Sequence, residues 1–424
     1  MSEFSGKKIL ILGPTNETIG LIEKAKELGA CTIVAGNRPE LKGNQYADLA
    51  FNVDVMDLGA MVSLVERERI DGVMVGSVES LLIPYARLCK KLNFPCLSTE
   101  SIYSRLINKY EFKQLCRQFD VPIVPEYSFL DDGTPKDIKY PVVVKPVDSG
   151  GSQGITVCRD ERALRRGIEI ALSYSKQKKI LIEKYMTCGE VVVYYTFQDG
   201  EPILTAMCDR YTNKEQDGVA QLPTAYIYPS RFEETYRKNV DEKVKRMFRA
   251  MGVSNGVMFI QSFVDERGNV YFYEPGYRLN GAQEHYIVSE ILGFDAKEAL
   301  VRFALTGKMA KESIAAKCRP FDRVGCKFSP LVKECTLGSM NTKDELMRLP
   351  GVIAVRPSYE PGDVVAGRGT LRQILTRVYV VEDNYEKLFD SLATIYSTMK
   401  ATDESGGSVF LNFTDIGMLR SIYK

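Results

Sequence analysis

Short apolar strands alternate with amphipathic helices over the first hundred residues, and this alternation limits the fold more than any other feature. Such alternation builds parallel βαβ units, so we predict an α/β domain over residues 1–104. The turn after the first strand has Gly13 and Gly20 too far apart for a G-x-G-x-x-G fingerprint, so it does not predict a dinucleotide site. The predicted strands are Lys7–Leu12, Cys31–Ala35, Leu49–Asn52 and Gly72–Gly76.

The pattern changes after about residue 101, where tight-turn signals replace helical connections. The stretches FQDGEPI and VDERGNV place Asp-Gly and Arg-Gly corners between apolar runs, which is typical of β-hairpins. We therefore predict an antiparallel α+β unit over residues 105–308. A smaller C-terminal α+β domain is predicted over residues 309–424.

Charge and composition exclude several classes of protein. The 56 basic residues nearly balance the 55 acidic ones, so no overall field attracts nucleic acid or a membrane surface. His285 is the one histidine, which argues against a zinc site and against Ser-His-Asp chemistry. The N-terminus does not read as a signal peptide, no apolar run reaches 18 residues, and the cysteines form no C-x-x-C pair. We expect a cytoplasmic protein with reduced cysteines and no membrane or nucleic-acid partner.

The stretch YPVVVKPVDSGGSQGI carries the strongest chemical signal. A β-branched strand ends at Lys145 and is followed by a loop rich in glycine and serine, Ser149–Gly154. Glycines allow backbone N–H groups to turn inward around an anion, and the lysine adds positive charge. The loop leads into a strand and lacks Gly-Lys-Ser/Thr, so it is not a Walker A motif. It predicts either a phosphate cradle or a plain flexible hairpin.

Two further segments carry acids at positions suited to a nucleotide. In ILIEKYMTCGEVVVYY one strand ends at Glu183 and another begins at Glu190, which could accept hydrogen bonds from ribose hydroxyls. Two exposed acids flanking a turn are the alternative.

In the hairpin Phe259–Glu274 a regular register would put Gln261 opposite Phe272 and make Glu274 its diagonal neighbour at roughly 7 Å. Oxygen donors at that separation can share Mg²⁺, which keeps phosphates as further ligands.

Taken in order, these segments resemble the ATP-grasp superfamily, which includes carbamoyl-phosphate synthetase, biotin carboxylase and D-alanine–D-alanine ligase. The resemblance covers most of the chain. It implies a pre-ATP-grasp domain (1–104), a two-lobed ATP-grasp domain (105–308) with a mobile lid at about 112–187, and a closing domain (309–424). It also implies ATP and Mg²⁺ as cofactors, with Mn²⁺ as an alternative metal, and allows a homodimer.

The resemblance assigns roles position by position. Lys109 and Lys145 would contact phosphates, Glu190 would bind the ribose, and Arg278 and Lys145 would be the catalytic residues. The metal ligands would be Gln261, Glu274 and Asn280. The other nucleotide-binding positions are the loop residues Ser149, Gly150, Gly151, Ser152, Gln153 and Gly154 and the hinge residues Glu183, Lys184, Tyr185 and Met186.

One position departs from the family motif. The motif places a metal-binding asparagine two residues after the glutamate, and this chain has Gly276 there. Asn280 or water could take that place. Alternatively, one metal site is weakened or catalysis is impaired.

We predict an ATP- and Mg²⁺-dependent ligase that activates a carboxylate as an acyl phosphate and joins it to an amine, such as that of an amino acid. The alternatives are a phosphoribosylamine–glycine ligase-like purine enzyme, a bicarbonate-using carboxylase or carbamoyl-phosphate-type enzyme, and a catalytically silent nucleotide-binding protein. The polar segment Asp209–Ser230 either lines the substrate pocket or is a surface loop. His285 either contacts substrate or has a structural role.

Overall fold

The computed structural model describes residues 2–129, 135–150, 153–213 and 221–423. Its N-terminal part is a parallel four-stranded sheet in the order β3-β2-β1-β4, covered by helices. Apolar side chains of the central strands are buried because helices cover both faces of such a sheet. The predicted α/β class is confirmed. The elements are β1 (Lys8–Leu12), α1 (Ile19–Glu27), β2 (Cys31–Gly36), β3 (Leu49–Asn52), α2 (Leu58–Glu68), β4 (Gly72–Val75), α3 (Leu82–Leu92) and α4 (Glu100–Ile107).

A small antiparallel sheet follows, in the order β6-β5-β7. Val142 and Val144 on β5 pack with residues of helix α6 in a buried cluster of their own. Because side chains alternate along a strand, Lys145 projects from the opposite face, on the same side as Glu183. The elements are α5 (Lys109–Gln118), β5 (Val142–Pro146), β6 (Thr156–Cys158), α6 (Glu161–Tyr174) and β7 (Ile180–Lys184).

An eight-stranded antiparallel sheet forms the centre of the molecule, in the order β12-β11-β8-β9-β10-β13-β18-β16. Its last three strands come from the C-terminal region, so the sheet continues across the boundary predicted at residue 308. The elements up to that boundary are β8 (Gly189–Gln198), β9 (Glu201–Thr212), β10 (Pro223–Tyr228), α7 (Glu233–Asn239), α8 (Asp241–Met251), β11 (Gly256–Val264), β12 (Val270–Gly276), α9 (His285–Leu292) and α10 (Ala296–Thr306).

The C-terminal region adds two small sheets, β17-β15-β19 and β14-β20, to the three strands that it gives to the large sheet. A second apolar cluster packs helices α12 and α13 against the large sheet. The elements are β13 (Val324–Phe328), β14 (Leu331–Val332), β15 (Cys335–Met340), α11 (Lys343–Met347), β16 (Val352–Pro357), β17 (Val364–Val365), β18 (Thr376–Glu382), α12 (Tyr385–Thr398), β19 (Ala401–Asp403), β20 (Phe410–Asn412) and α13 (Ile416–Ile422).

The segment Asp209–Ser230 consists largely of the ends of β9 and β10, and its residues 214–220 lie outside the described residues. Ser230 Oγ donates a hydrogen bond to Asp209 Oδ1 at 2.5 Å, so the two ends of the segment are held together. In the described part of the chain, no helix is both long enough and apolar enough to cross a membrane.

The register predicted for the β11–β12 hairpin is wrong. The strands pair Ser262 with Phe272 and Gln261 with Glu274, so Tyr273 is an extra residue on β12. A bulge of this kind sets two residues of one strand against one of its partner and re-aims the side chains beyond it. Gln261 and Glu274 are therefore directly opposite each other, closer than the diagonal arrangement predicted from a regular hairpin.

Candidate active site

Buried lysines and glutamates join helix α5 to the small sheet. Lys113 Nζ contacts Glu183 and lies 2.8 Å from Glu126 Oε1. Lys145 Nζ lies 2.8 Å from the same Glu183 oxygen that Lys113 contacts. Among the described residues Glu183 is the one carboxylate within ion-pair distance of Lys145, and Lys145 shares it with Lys113. The cluster can therefore accept an added anion beside Lys145.

Burial shapes the ionisation of this cluster. It lowers the pKa of Lys145, although the Glu183 carboxylate opposes the shift. Burial also disfavours the charged form of Glu183, but Lys145 and Lys113 outweigh it and lower the pKa of that carboxyl. A phosphate would add a second negative partner for Lys145 and stabilise its protonated form.

Lys109 links the cluster to the hairpin. It is the first residue of α5, which Asn108 caps by accepting hydrogen bonds from the next backbone N–H groups. Lys109 Nζ donates to Ser149 O at 2.6 Å and lies 3.1 Å from Glu274 Oε1. Lys113 was not predicted as a site residue, yet residues four apart share a helix face, so the spacing from Lys109 is a signal that could have found it.

The predicted phosphate loop begins next to Lys109. Ser149 Oγ donates to Gln153 O at 3.1 Å, which folds the loop back on itself. Gly154 has φ of +74°, and a Cβ atom there would lie 2.9 Å from Tyr174 Cβ, so both conformation and space require glycine. Two predicted loop members lie outside the described residues: Gly151 and Ser152.

The predicted adenine hinge follows strand β7. The Glu183 side chain points to Lys113 and Lys145. The Lys184 side chain is exposed, and the backbone N–H of this residue donates a hydrogen bond to Pro125 O at 2.9 Å. Tyr185 and Met186 are partly buried. The role of this segment in holding a purine stays a prediction.

Glu190 lies in a polar network at the start of β8. Arg210, opposite it on β9, forms an ion pair with its carboxylate. The Tyr273 hydroxyl lies 3.2 Å from Glu190 Oε2 and 2.9 Å from Gln261 Oε1. Tyr273, the extra residue of the hairpin, thus links Glu190, the predicted ribose ligand, to Gln261, a predicted metal ligand. Neither Arg210 nor Tyr273 was predicted as a site residue.

Gln261 and Glu274 are the oxygen donors available to a metal ion. They face each other across the hairpin, and the Gln261 oxygen that accepts from Tyr273 has a second lone pair free. No group of three or more His, Cys, Asp or Glu side chains in the described part of the chain could hold a metal by itself. Mg²⁺ in nucleotide sites takes one or two protein oxygens and completes its shell with phosphates and water, so this donor pair fits it.

Arg278 is buried beyond the hairpin with few direct partners. One of its guanidinium nitrogens donates to Leu279 O at 3.1 Å, and another lies 3.7 Å from Glu79 Oε2. Within the described residues its Nε atom has no hydrogen-bond partner. Burial lowers the pKa of Arg278, although Glu79 opposes the shift. A buried, incompletely paired guanidinium is suited to receive an oxyanion.

Gly276, where the family motif has asparagine, lies against an aromatic ring. A Cβ atom at this position would be 2.2 Å from Phe259 Cζ and 2.4 Å from Cε1. Asn280, the predicted substitute ligand, uses its amide within the fold: Nδ2 donates to the Tyr194 hydroxyl at 3.2 Å and Oδ1 accepts from Ala282 N at 3.0 Å. Its role as a metal ligand stays a prediction.

Two glutamates from the N-terminal sheet also reach the site and were not predicted. Glu79 follows β4 and lies near Arg278, and burial raises the pKa of its carboxyl against the opposing effect of that arginine. Glu17 follows β1 and accepts a hydrogen bond from Arg377 at 2.9 Å. Ligand sites form outside the carboxyl ends of parallel strands, so the positions of both residues were a usable signal.

Glu284 and His285 line a small cavity of about 20 Å³. Burial raises the pKa of Glu284 to about 8, partly offset by Arg278. Burial also lowers the pKa of His285 well below its ordinary value. Glu284 Oε2 and both His285 ring nitrogens lack hydrogen-bond partners among the described residues. The cavity is large enough for one water molecule.

Comparison with known proteins identifies a domain family that matches the middle of the chain. Residues 138–283 match the family model of the ATP-grasp domain. The chain is 25% identical over 294 residues to the carbamoyl phosphate synthase large chain of Clostridium botulinum, covering 65% of this chain and 27% of that protein. The chain thus spans less than a third of the length of the carbamoyl phosphate synthases that it matches.

Two solved structures share the fold. An L-amino acid ligase from Bacillus licheniformis has a TM-score of 0.76 at 19% identity, covering 94% of this chain and 99% of the ligase. A biotin carboxylase domain dimer of Hydrogenobacter thermophilus 2-oxoglutarate carboxylase, solved with MgADP and bicarbonate, has a TM-score of 0.75 at 19% identity, covering 93% and 90%.

Residues 138–283 therefore correspond to an ATP-grasp domain. This match confirms the resemblance, and the shared fold confirms the mixed fold class. The predicted class of enzyme, an ATP-dependent ligase, agrees with that of the homologues. The predicted cofactors, ATP with Mg²⁺, are confirmed at the level of the family.

Proposed function

We propose that the chain is a carboxylate–amine ligase that uses ATP to activate a carboxylate as an acyl phosphate and joins it to the amine of an amino acid. The observation that carries the proposal is the meeting of three elements at one place: the Lys109–Lys145 cluster, the Gln261–Glu274 donor pair, and the incompletely paired Arg278. The L-amino acid ligase that shares the fold over nearly its whole length supports the choice of an amine acceptor.

The residues divide the work by position. Lys145 and Lys109 hold the nucleotide phosphates, and the Ser149–Gly154 loop covers them. Glu190 holds the ribose, while Gln261 and Glu274 hold Mg²⁺, which supplies positive charge that offsets the charge on the phosphates. Arg278 presents donors to the oxygens of the transferring phosphoryl group.

Catalysis in this proposal is positioning and charge stabilisation, with no covalent bond to the chain. Loop closure excludes water from the activated carboxylate until the amine attacks. We further propose a cytoplasmic homodimer, because the carboxylase neighbour was solved as a dimer and no helix in the described ranges could span a membrane.

Release of ADP and phosphate from Mg-ATP in the presence of pairs of amino acids tests the proposal directly. We expect release only when both a carboxylate and an amine partner are present, together with an amide product seen by mass spectrometry. Release that needs bicarbonate and no amine would instead identify a carboxylase. Tight ATP binding without stimulated release by any pair would identify a silent nucleotide-binding protein.

A matched variant makes the result specific. Glu274→Gln keeps the size of the side chain but removes the charge that faces Gln261 and Lys109. We expect turnover to fall by at least about 100-fold and the dependence on Mg²⁺ concentration to shift upward, because a hard cation prefers carboxylate to amide oxygen. Unchanged turnover would remove Glu274 from the site.

A further inference from the structure

The ring of Phe259 lies where a side chain at position 276 would project. Phe259 and Gly276 are direct partners across the β11–β12 ladder. A Cβ atom on Gly276 would meet three ring carbons of Phe259 at 2.2, 2.4 and 3.0 Å. Gly276 does not have a positive φ, so the space taken by the ring, and not the backbone conformation, excludes a larger residue.

The same ring supports Arg278. The guanidinium carbon of Arg278 lies 5.0 Å from the ring centroid of Phe259, within the range of a cation–π contact. The direct polar contacts of Arg278 are sparse, as its 3.7 Å separation from Glu79 and the unpartnered Nε show. The aromatic ring is therefore a principal contact of the guanidinium.

Phe259 also lies on the face of the sheet that carries the site. It is two residues from Gln261 on β11, and side chains two apart point to the same face. Phe272, in the same hairpin, faces the other way, because it pairs with Ser262 and stacks on Tyr236. The ring of Phe259 thus lies on the face of the sheet that carries the site, where it is also buried among apolar side chains.

We propose that Phe259 is a positioning residue for Arg278, and that its ring occupies the place of the missing asparagine side chain. The inference rests on the proposed function in one respect: the guanidinium that the ring holds is taken to face the transferring phosphoryl group. In this chain a side chain at 276 and the ring of Phe259 exclude each other. Where the family motif has the metal-binding oxygen of an asparagine, this chain has the ring of Phe259, which contacts the Arg278 guanidinium.

The affinity of the protein for AMP-PNP relative to ADP, both with Mg²⁺, measures whether Arg278 reaches the third phosphate. We expect Phe259→Leu, which keeps apolar volume but removes the ring face, to lower the preference for AMP-PNP about 3- to 10-fold. Arg278→Lys should lower it at least as much, because a lysine lacks the planar fork. In the double variant the two effects should not multiply, since they remove the same interaction.

Phe272→Leu is the matched control, since it removes a ring from the same hairpin on the other face, and it should keep the wild-type preference. Thermal unfolding of each variant checks that the fold is intact. A wild-type preference in Phe259→Leu, or losses that multiply with those of Arg278→Lys, would overturn the positioning role.

An NMR signal separates this inference from the proposed function. The Arg278 Nε–Hε signal, assigned as the one absent from Arg278→Lys, should show a ring-current shift in the protein without nucleotide. The shift should vanish in Phe259→Leu and persist in Phe272→Leu. If the shift is present but the wild type binds ADP and AMP-PNP equally, Phe259 still holds Arg278 and the phosphoryl role of Arg278 is wrong. If the shift is absent, the positioning role is wrong whatever the nucleotide affinities.

Discussion

The two ends of the site handle buried charge in different ways. At the small sheet the lysines are paired with carboxylates at short distances: Lys145 with Glu183 and Lys109 with Glu274. At the far end of the hairpin, Arg278 and Glu284 are buried with unpartnered atoms among the described residues, and the nearest carboxylate to Arg278 is 3.7 Å away.

The difference indicates which end is complete without a ligand. Lysines that are paired with carboxylates are already stabilised in the free protein, and a bound phosphate would replace a carboxylate as their negative partner. Burial of an incompletely paired cation costs desolvation free energy in the free protein, and binding of an anion offsets that cost. We therefore expect substitutions at the lysine end to affect function more than folding, and substitutions at the arginine end to affect both.

The largest effect is expected at the lysine end. Lys145→Met should reduce ATP turnover by about 1000-fold or more, because it removes a cation that we propose to contact the phosphates. Glu183 keeps its contact with Lys113, so the carboxylate is not left unpaired and the fold should survive. Phosphate release and circular dichroism of the same preparation measure the two properties.

Lys139→Met is the matched control for this variant. Lys139 lies just before the same small sheet, with an exposed side chain, and its substitution should leave turnover unchanged. Equal losses in both variants would show that the small sheet, and not the Lys145 charge, is responsible.

The sequence predicted the elements of the fold better than their registers. The spacing of apolar residues predicted the parallel N-terminal sheet and the hairpins, because that spacing reflects which face of a strand or helix is buried. The β11–β12 register was wrong by one residue before the bulge, where Ser262 faces Phe272 and not Tyr271, and the bulge at Tyr273 adds a second shift. No local residue pattern marks that bulge. The same bulge brings Tyr273 to Gln261 and Glu190, which a regular hairpin could not indicate.

Sequence motifs nominated residues that the structure brings together, but they missed contacts that form where strands far apart in sequence meet. Lys113, four residues after Lys109, could have been found from helix geometry. Arg210 is opposite Glu190 only because β8 and β9 pair as they do. The reason for Gly276 lies 17 positions earlier along the chain, in the ring of Phe259, and only the paired strands bring the two together.

The second largest effect concerns Glu284, at the arginine end. Burial raises the pKa of this carboxyl from 4.5 to about 8, so the folded chain retains a proton that the unfolded chain has released. The contribution of Glu284 to stability should therefore be most favourable below about pH 4.5 and become less favourable as the pH rises to about 8. Arg278, Tyr194, Tyr228 and Tyr379 are the titratable groups whose charges interact with it.

Glu284→Gln should remove this dependence on pH. At about 1.4 kcal/mol per pKa unit, the shift from 4.5 to about 8 corresponds to about 4–5 kcal/mol, so the variant should be more stable than wild type by about that amount at pH 8 and by little at pH 4.5. Urea unfolding at both pH values measures the difference. Glu266→Gln, in the exposed turn of the hairpin, is the control and should leave the curve unchanged. A parallel loss of stability at both pH values in Glu284→Gln would show that the carboxyl is ionised and paired.

The smallest effect tests the packing that separates this chain from the family motif. Gly276→Ala places a methyl group 2.2 Å from Phe259 Cζ, so the ring or the strand must shift, at a cost of about 1–3 kcal/mol in the free energy of unfolding. Gly281→Ala is the matched control, because its Cβ would meet only Glu17 Cγ at an ordinary 3.8 Å. Adding Phe259→Ala should relieve the strain, so Gly276→Ala should cost less in that background than alone. An equal cost in both backgrounds would show that the ring does not fill the place of the residue-276 side chain.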